Sequence, residues 1–287
     1  MKTRKNTVAS LLEMKARGER ISQLTCYDYS TARLVDGAGI DTILVGDSLG
    51  MTMQGYEDTL PVTMDEMVIY ARSVCRACQR AFVVVDMPFM SYQTGPAQAL
   101  ENAGRLIKEC RANAVKLEGG KRVCTQIKAI TESGIPVCAH IGMTPQSVNA
   151  ISGFAVQGKG EIEARRVLED ALAVEEAGAF MVVLECIPPK LAALITKKTH
   201  MITIGIGAGS GCDGQVLVYQ DMLGMSGDFK PKFVKQFAQA GQMMQEAFQA
   251  YNSEVKAGTF PAPEHTYPAG DCDDGFLYEL DRAYPAD

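Results

Sequence analysis

The chain has 287 residues, a formal net charge of −6, 47% apolar residues and 22% charged ones. These proportions are those of a soluble globular protein. The acidic balance argues against a nucleic-acid partner, because no basic excess exists to neutralise a run of phosphates. No apolar run approaches the roughly 20 residues of a membrane span, and Glu13 and Lys15 interrupt the apolar stretch near the N-terminus before it resembles a signal-peptide core. The nine cysteines are odd in number and scattered, and Cys26, Cys138 and Cys186 lie inside apolar runs. That pattern is expected of reduced thiols in a cytoplasmic protein. The lone Cys75-x-x-Cys78 has no second ligand pair to make a zinc site.

Taken in chain order, an amphipathic helix is predicted over residues 7–17, with Gly18 past its end. A pattern then repeats: a short apolar run ends in a polar residue or glycine, and an amphipathic helix follows. The runs are 21–26, 42–45, 81–85, 114–117, 136–139, 180–184 and 201–206, with a weaker eighth near 219–225. The clearest helices are 64–79, 96–111, 121–132, 161–176 and 189–197, and a long one is expected over 231–256. Strands alternating with helices imply a parallel sheet with crossover connections. Asp47, Asp86, Lys116 with Glu118, His140 and Glu185 end five successive runs. An open sheet gathers its site at one switch point. A closed (β/α)8 TIM barrel rings all strand ends around one mouth, and it needs roughly 250 residues. The expected organisation is one barrel domain over 1–264 and an acidic tail over 265–287. The tail holds six acidic residues, one Arg and an apolar Phe276-Leu277-Tyr278 motif. A partly disordered solvated tail and a subunit-docking tail are both compatible with that composition.

The strand-end acids carry the chemistry. Asp47 or Asp86 could each cap a helix, but the next predicted helices begin at 64 and 96, too far along the chain for either. Clustered carboxylates resist ionising together unless a cation joins them. With only oxygen donors at hand, the choice falls on a hard ion, Mg²⁺ in preference to Zn²⁺. Lys116 and Glu118 have period-two spacing and can face the same interior. Lys116 then either holds an anionic substrate group or pairs with an acid internally. Glu185 follows the apolar run MVVL, where desolvation favours a raised carboxyl pKa and a general-base role, with a structural salt bridge as the alternative. His140 can donate a hydrogen bond to substrate or be a satisfied core histidine. The glycine-rich segment 205–209 has no nearby basic residue to make a phosphate grip. A metal, an anion holder and a base suit proton abstraction beside a chelated 2-oxo acid carbonyl.

The blocks LVGDSLGMT, TLPVT, DMPFMSYQ, VKLEGG, HIGMTPQSVN, VQGKG, LECIP and IGIGAG occur in this order. Together they closely resemble the ketopantoate hydroxymethyltransferase family, over about residues 7–267. The resemblance implies a (β/α)8 barrel of the phosphoenolpyruvate/pyruvate-like superfamily. It also implies transfer of a one-carbon unit from 5,10-methylenetetrahydrofolate to 3-methyl-2-oxobutanoate, giving 2-dehydropantoate on the route to pantothenate and coenzyme A. By motif match, Asp47 and Asp86 look like direct Mg²⁺ ligands and Glu118 like a further ligand, through water. Asp47, Ser48, Asp86 and Lys116 look like contacts to the keto acid, with His140 added from the reading above, and Glu185 looks like the proton acceptor. A homodecamer, a pentamer of dimers, is implied as well. Two departures stand out: the acidic tail runs past the family's usual end, and KKTHMIT lacks the proline expected before IGIGAG. Competing readings are a Mg²⁺-dependent 2-oxo acid lyase or mutase of the same superfamily, and a non-catalytic metabolite-binding barrel.

Overall fold

A computed structural model describes residues 4–150, 153, 155–227, 231–268, 270 and 273–285. Eight strands run in parallel: β1 (Ile21–Thr25), β2 (Thr42–Val45), β3 (Phe82–Asp86), β4 (Ala114–Glu118), β5 (Val137–Gly142), β6 (Met181–Glu185), β7 (Ile202–Ile206) and β8 (Gly214–Leu217). Each pairs with the next, and β8 returns to β1 to close the barrel. The fold is therefore the (β/α)8 barrel expected from the alternation. Its strands are apolar on both faces, since helices cover the outside and side chains fill the inside.

Strand parity decides which residues see the interior. On β3, Phe82 and Val84 belong to the inner core, while Val83 and Val85 pack outward beneath the helices. Asp86 continues the inner series 82, 84, 86. By the same count Lys116 and Glu118 follow Ala114, His140 follows Cys138, and Glu185 follows Met181 and Val183. Four strands thus carry apolar residues low in the barrel and charged residues at its C-terminal mouth.

The other end of the barrel is closed by the helix Val8–Ala16. Thr7 and Ser10 cap it reciprocally, with Ser10 N donating to Thr7 Oγ1 and Thr7 N donating to Ser10 Oγ. Leu11 is wholly buried in the inner core, and Val8, Leu12 and Met14 pack against that core. Lys15 Nζ reaches the carbonyls of Thr199 and Met201 at 3.2 and 2.6 Å and the carboxylate of Asp213 at 2.9 Å. These contacts pin the helix across the barrel floor.

Two sequence expectations are corrected. The eighth strand is Gly214–Leu217, and the apolar run near 219 instead opens a one-turn helix, Tyr219–Met222. The strand escapes detection because it is short and exposes Gln215. It also begins on a glycine whose added Cβ would collide with the Ile21 carbonyl. The final long helix begins at Ala240, not near 231. Before it, Val234 is buried and Phe237 N donates to Met222 O at 2.7 Å, so this segment packs on the barrel as non-helical chain.

The chain divides into two compact units, Met1–Ala238 and Gln239–Asp287. The division precedes the compositional change at 264. The second unit contains the helix Ala240–Ala257, ended by Gly258 in the left-handed region, and a short helix Asp274–Ala283. Asp273 caps the latter by accepting from Phe276 N at 2.8 Å. The 276–278 motif lies in that helix.

Candidate active site

At the mouth, β2 is followed by Gly46, Asp47 and Ser48. The sharp exit needs Gly46: a Cβ there would lie 2.7 Å from Ser48 Oγ and 3.4 Å from Asp86 Oδ2. A one-turn helix, Leu49–Thr52, follows at once, so the absence of a nearby helix does not explain why Asp47 is not a cap. Its contacts do. Asp47 Oδ2 accepts from Gln146 Nε2 at 2.8 Å, and Asp47 N donates to Asp86 Oδ2 at 3.1 Å. Ser48 Oγ meets the fully buried Tyr27 hydroxyl at 2.8 Å.

The remaining predicted residues converge with Asp47. Lys116 Nζ lies 2.8 Å from Asp86 Oδ1 and 3.9 Å from Glu118 Oε1. His140 stands between two acids, with Nδ1 3.3 Å from Glu118 Oε1 and Nε2 3.1 Å from Glu185 Oε2. The structure thus gathers Asp47, Asp86, Lys116, Glu118, His140 and Glu185 into one connected polar cluster, with Ser48 beside Asp47. All but Ser48 and Glu185 are buried. The internal-pair reading of Lys116 holds here, and its ammonium remains at the mouth where a substrate anion would approach.

Four carboxylates face two cations, an excess of two negative charges when all are ionised. Burial, then the charges of Asp86 and Glu118, push the Asp47 pKa well above the usual carboxylate range. Asp86 is also raised by burial, against the pull of Lys116. Glu118 is lowered: burial works to raise it, but His140 and Lys116 together prevail. Burial and Lys116 work to lower His140, yet Glu118 and Glu185 carry it up to about 9. Nδ1 also lies 3.3 Å from Lys116 Nζ, and Nε2, though near Glu185, makes no properly directed hydrogen bond.

Among the described residues no three His, Cys, Asp or Glu side chains are set to close around a metal ion. These residues therefore do not build an all-protein cage. Mg²⁺ does not need one, because it is commonly held by one or two carboxylates plus water and substrate oxygens. Asp47 and Asp86 fit that description. Asp86 Oδ1 is buried and has no properly directed hydrogen bond, although Lys116 lies within ion-pairing distance. The oxygen-only donor set and the excess negative charge fit a hard divalent cation.

Gln146, Tyr92 and Tyr27 also belong to this network. Gln146 sits in the 3₁₀ turn Pro145–Ser147 after β5, and Tyr92 in the loop after β3. Both lie inside blocks that carry the family resemblance, HIGMTPQSVN and DMPFMSYQ. Nothing local marks them, since Gln146 meets Asp47 across 99 positions of chain.

The sequence pattern of a family described as ketopantoate hydroxymethyltransferase matches residues 5–263. A 3-methyl-2-oxobutanoate hydroxymethyltransferase from Clostridium novyi (strain NT) is 60% identical over 263 residues, covering 92% of this chain and 96% of that protein. One of the same description from Enterococcus faecalis (strain ATCC 700802 / V583) is 58% identical over 267 residues, with 93% and 97% covered. Among solved structures, a phosphonopyruvate hydrolase complexed with oxalate and Mg²⁺ superposes with a TM-score of 0.59 at 12% identity, covering 97% of this chain and 96% of that one. A 2,3-dimethylmalate lyase, described as a PEP mutase/isocitrate lyase superfamily member, does so with a TM-score of 0.57 at 14% identity, with 96% and 98% covered. At those identities the structural likeness is one of fold.

Proposed function

The chain belongs to the ketopantoate hydroxymethyltransferase family and is a hydroxymethyltransferase, and from that premise we propose its reaction. In the presence of water it moves a one-carbon unit from 5,10-methylenetetrahydrofolate to 3-methyl-2-oxobutanoate, giving 2-dehydropantoate and tetrahydrofolate on the route to pantothenate. The observation that carries this reading is the mouth cluster itself: two aspartates in negative excess, a lysine and a glutamate on one interior face.

Asp47 and Asp86 would hold Mg²⁺, with Glu118 contributing through water. When bound, the ion supplies Lewis-acid charge that favours enolisation of a 2-oxo acid by several kcal/mol. Lys116, anchored 2.8 Å from Asp86, and Ser48, oriented by Tyr27, bind the keto-acid carboxylate end. Glu185, whose Oε2 lies 3.1 Å from His140 Nε2, takes the proton from C3. The C3 carbon then forms the new bond to the one-carbon unit, carried by folate or released from it as formaldehyde. A 2-oxo acid lyase or mutase has only the fold likeness behind it.

The test is exchange of the C3 proton of 3-methyl-2-oxobutanoate in D₂O, followed by NMR. Exchange should require Mg²⁺ but no folate, and Glu185→Gln should slow it by about 10²–10⁴-fold, the usual contribution of a positioned base. A variant that exchanges at the wild-type rate removes Glu185 from the role. Turnover that needs methylenetetrahydrofolate then identifies the donor. A cytoplasmic location and a decamer complete the reading; among the described residues no helix is long and apolar enough to cross a membrane.

A further inference from the structure

Gln146 has every polar group of its side chain engaged. Its Nε2 donates to Asp47 Oδ2 at 2.8 Å and to the Met87 carbonyl at 2.9 Å, and its Oε1 accepts from the Tyr92 hydroxyl at 2.6 Å. The amide orientation is not arbitrary. A carbonyl can only accept, so the atom facing Met87 O must be nitrogen, and the contact to Asp47 must be a donation. The backbone N–H of the same residue donates to Glu118 Oε2 at 3.0 Å. Tyr92 closes the circuit: its hydroxyl accepts from Glu118 N at 3.1 Å and faces two acceptors, the Glu118 carbonyl at 3.1 Å and Gln146 Oε1 at the shorter 2.6 Å. Asp47, Glu118, Gln146 and Tyr92 are all buried. One residue after β5 therefore grips carboxylates delivered by the ends of β2 and β4.

The chemistry of the grip is informative. A lysine or arginine in this place would fix Asp47 equally well but cancel its charge and repel a divalent cation. A carboxamide and a backbone amide fix both acids without adding a positive charge. They also occupy one oxygen of each, so neither carboxylate can turn both oxygens toward Lys116.

We propose that Gln146, braced by Tyr92, is a positioning residue for cation binding, which orients Asp47 and Glu118 without neutralising them. This rests on the reading that Asp47 and Asp86 hold Mg²⁺. Its role is distinct from that of a general strut, because the consequence of losing it is read in metal affinity.

The experiment uses the full-length, metal-free protein and Mn²⁺ as probe, with free ion counted by electron paramagnetic resonance. Gln146→Met keeps the side-chain length but removes both donors and the acceptor. Tyr92→Phe leaves the Gln146 donors and removes the hydroxyl that braces Gln146 and accepts from Glu118 N. Losing a partner that orients a metal ligand costs about 10–100-fold in affinity, so Gln146→Met should weaken Mn²⁺ binding by that factor and Tyr92→Phe by less. At saturating metal the keto-acid exchange rate should return towards wild type in both, as it would not for a lost base. If Gln146→Met fails to fold, Tyr92→Phe decides alone. Variants that bind Mn²⁺ as tightly as wild type overturn the proposal. A wild-type protein that binds no Mn²⁺ overturns the metal reading beneath it.

Discussion

Asp47 and Glu118 sit in one cluster, yet their pKa values move in opposite directions. The difference lies in their neighbours. Glu118 has His140 at 3.3 Å and Lys116 at 3.9 Å, whereas the donor at Asp47 Oδ2 is a neutral amide. Burial then governs Asp47, and a bound divalent cation would supply the charge it lacks. His140 gives this arrangement a pH signature. Its folded pKa of about 9 lies above the ordinary histidine value of 6.5, so its contribution to stability is complete below pH 6.5 and disappears as the pH rises through 9. The melting temperature of the metal-free protein should therefore fall across that window more steeply than that of His140→Gln. Parallel curves would mean the imidazole is not charged in the fold. The sequence marked His140 as a strand-end residue but left open whether it touched substrate or core. Only the approach of Glu118 on one side and Glu185 on the other makes it a bridge.

Secondary elements owe their positions to parity and to the floor helix. The inner series Phe82-Val84-Asp86 and Ala114-Lys116-Glu118 show how one strand serves both core and site, apolar below and charged above. This much is legible in the sequence, because a period of two is a property of any strand. The strand β8 was misplaced for the complementary reason: four residues with an exposed Gln215 carry too little pattern. The helix Val8–Ala16 is a separate case, since an amphipathic pattern shows that a helix forms but not what it covers. Here it seals the barrel with Leu11. Leu11→Ala should destabilise the fold by about 2–5 kcal/mol, the range for deleting a buried leucine side chain, measured by urea unfolding. A change well under 1 kcal/mol would show that the floor is not part of the cooperative core, since the leucine is completely buried.

At the scale of the whole molecule, the barrel brings together residues separated by most of its length. The second unit differs in character: the helix Ala240–Ala257 has no buried residue and exposes Met243, Phe248 and Tyr251. The proposed reading includes a decamer. Native mass spectrometry should then give ten times the chain mass of 31.0 kDa, and a particle of single-chain mass would exclude the decamer. The sequence by itself determined the alternation of strands and helices, the closed barrel and the charged residues that end its strands. The alternation and the strand-end charges follow from local periodicity, and closure follows from five charged ends that one ring can gather, although the closing strand itself lies outside that pattern. The tertiary structure decided the sealing of the barrel floor by the first helix, the placement of His140 between Glu118 and Glu185, and the amide grip of Gln146 on Asp47 and Glu118. Those depend on distances between residues remote in sequence, and such distances exist only once the sheet has closed.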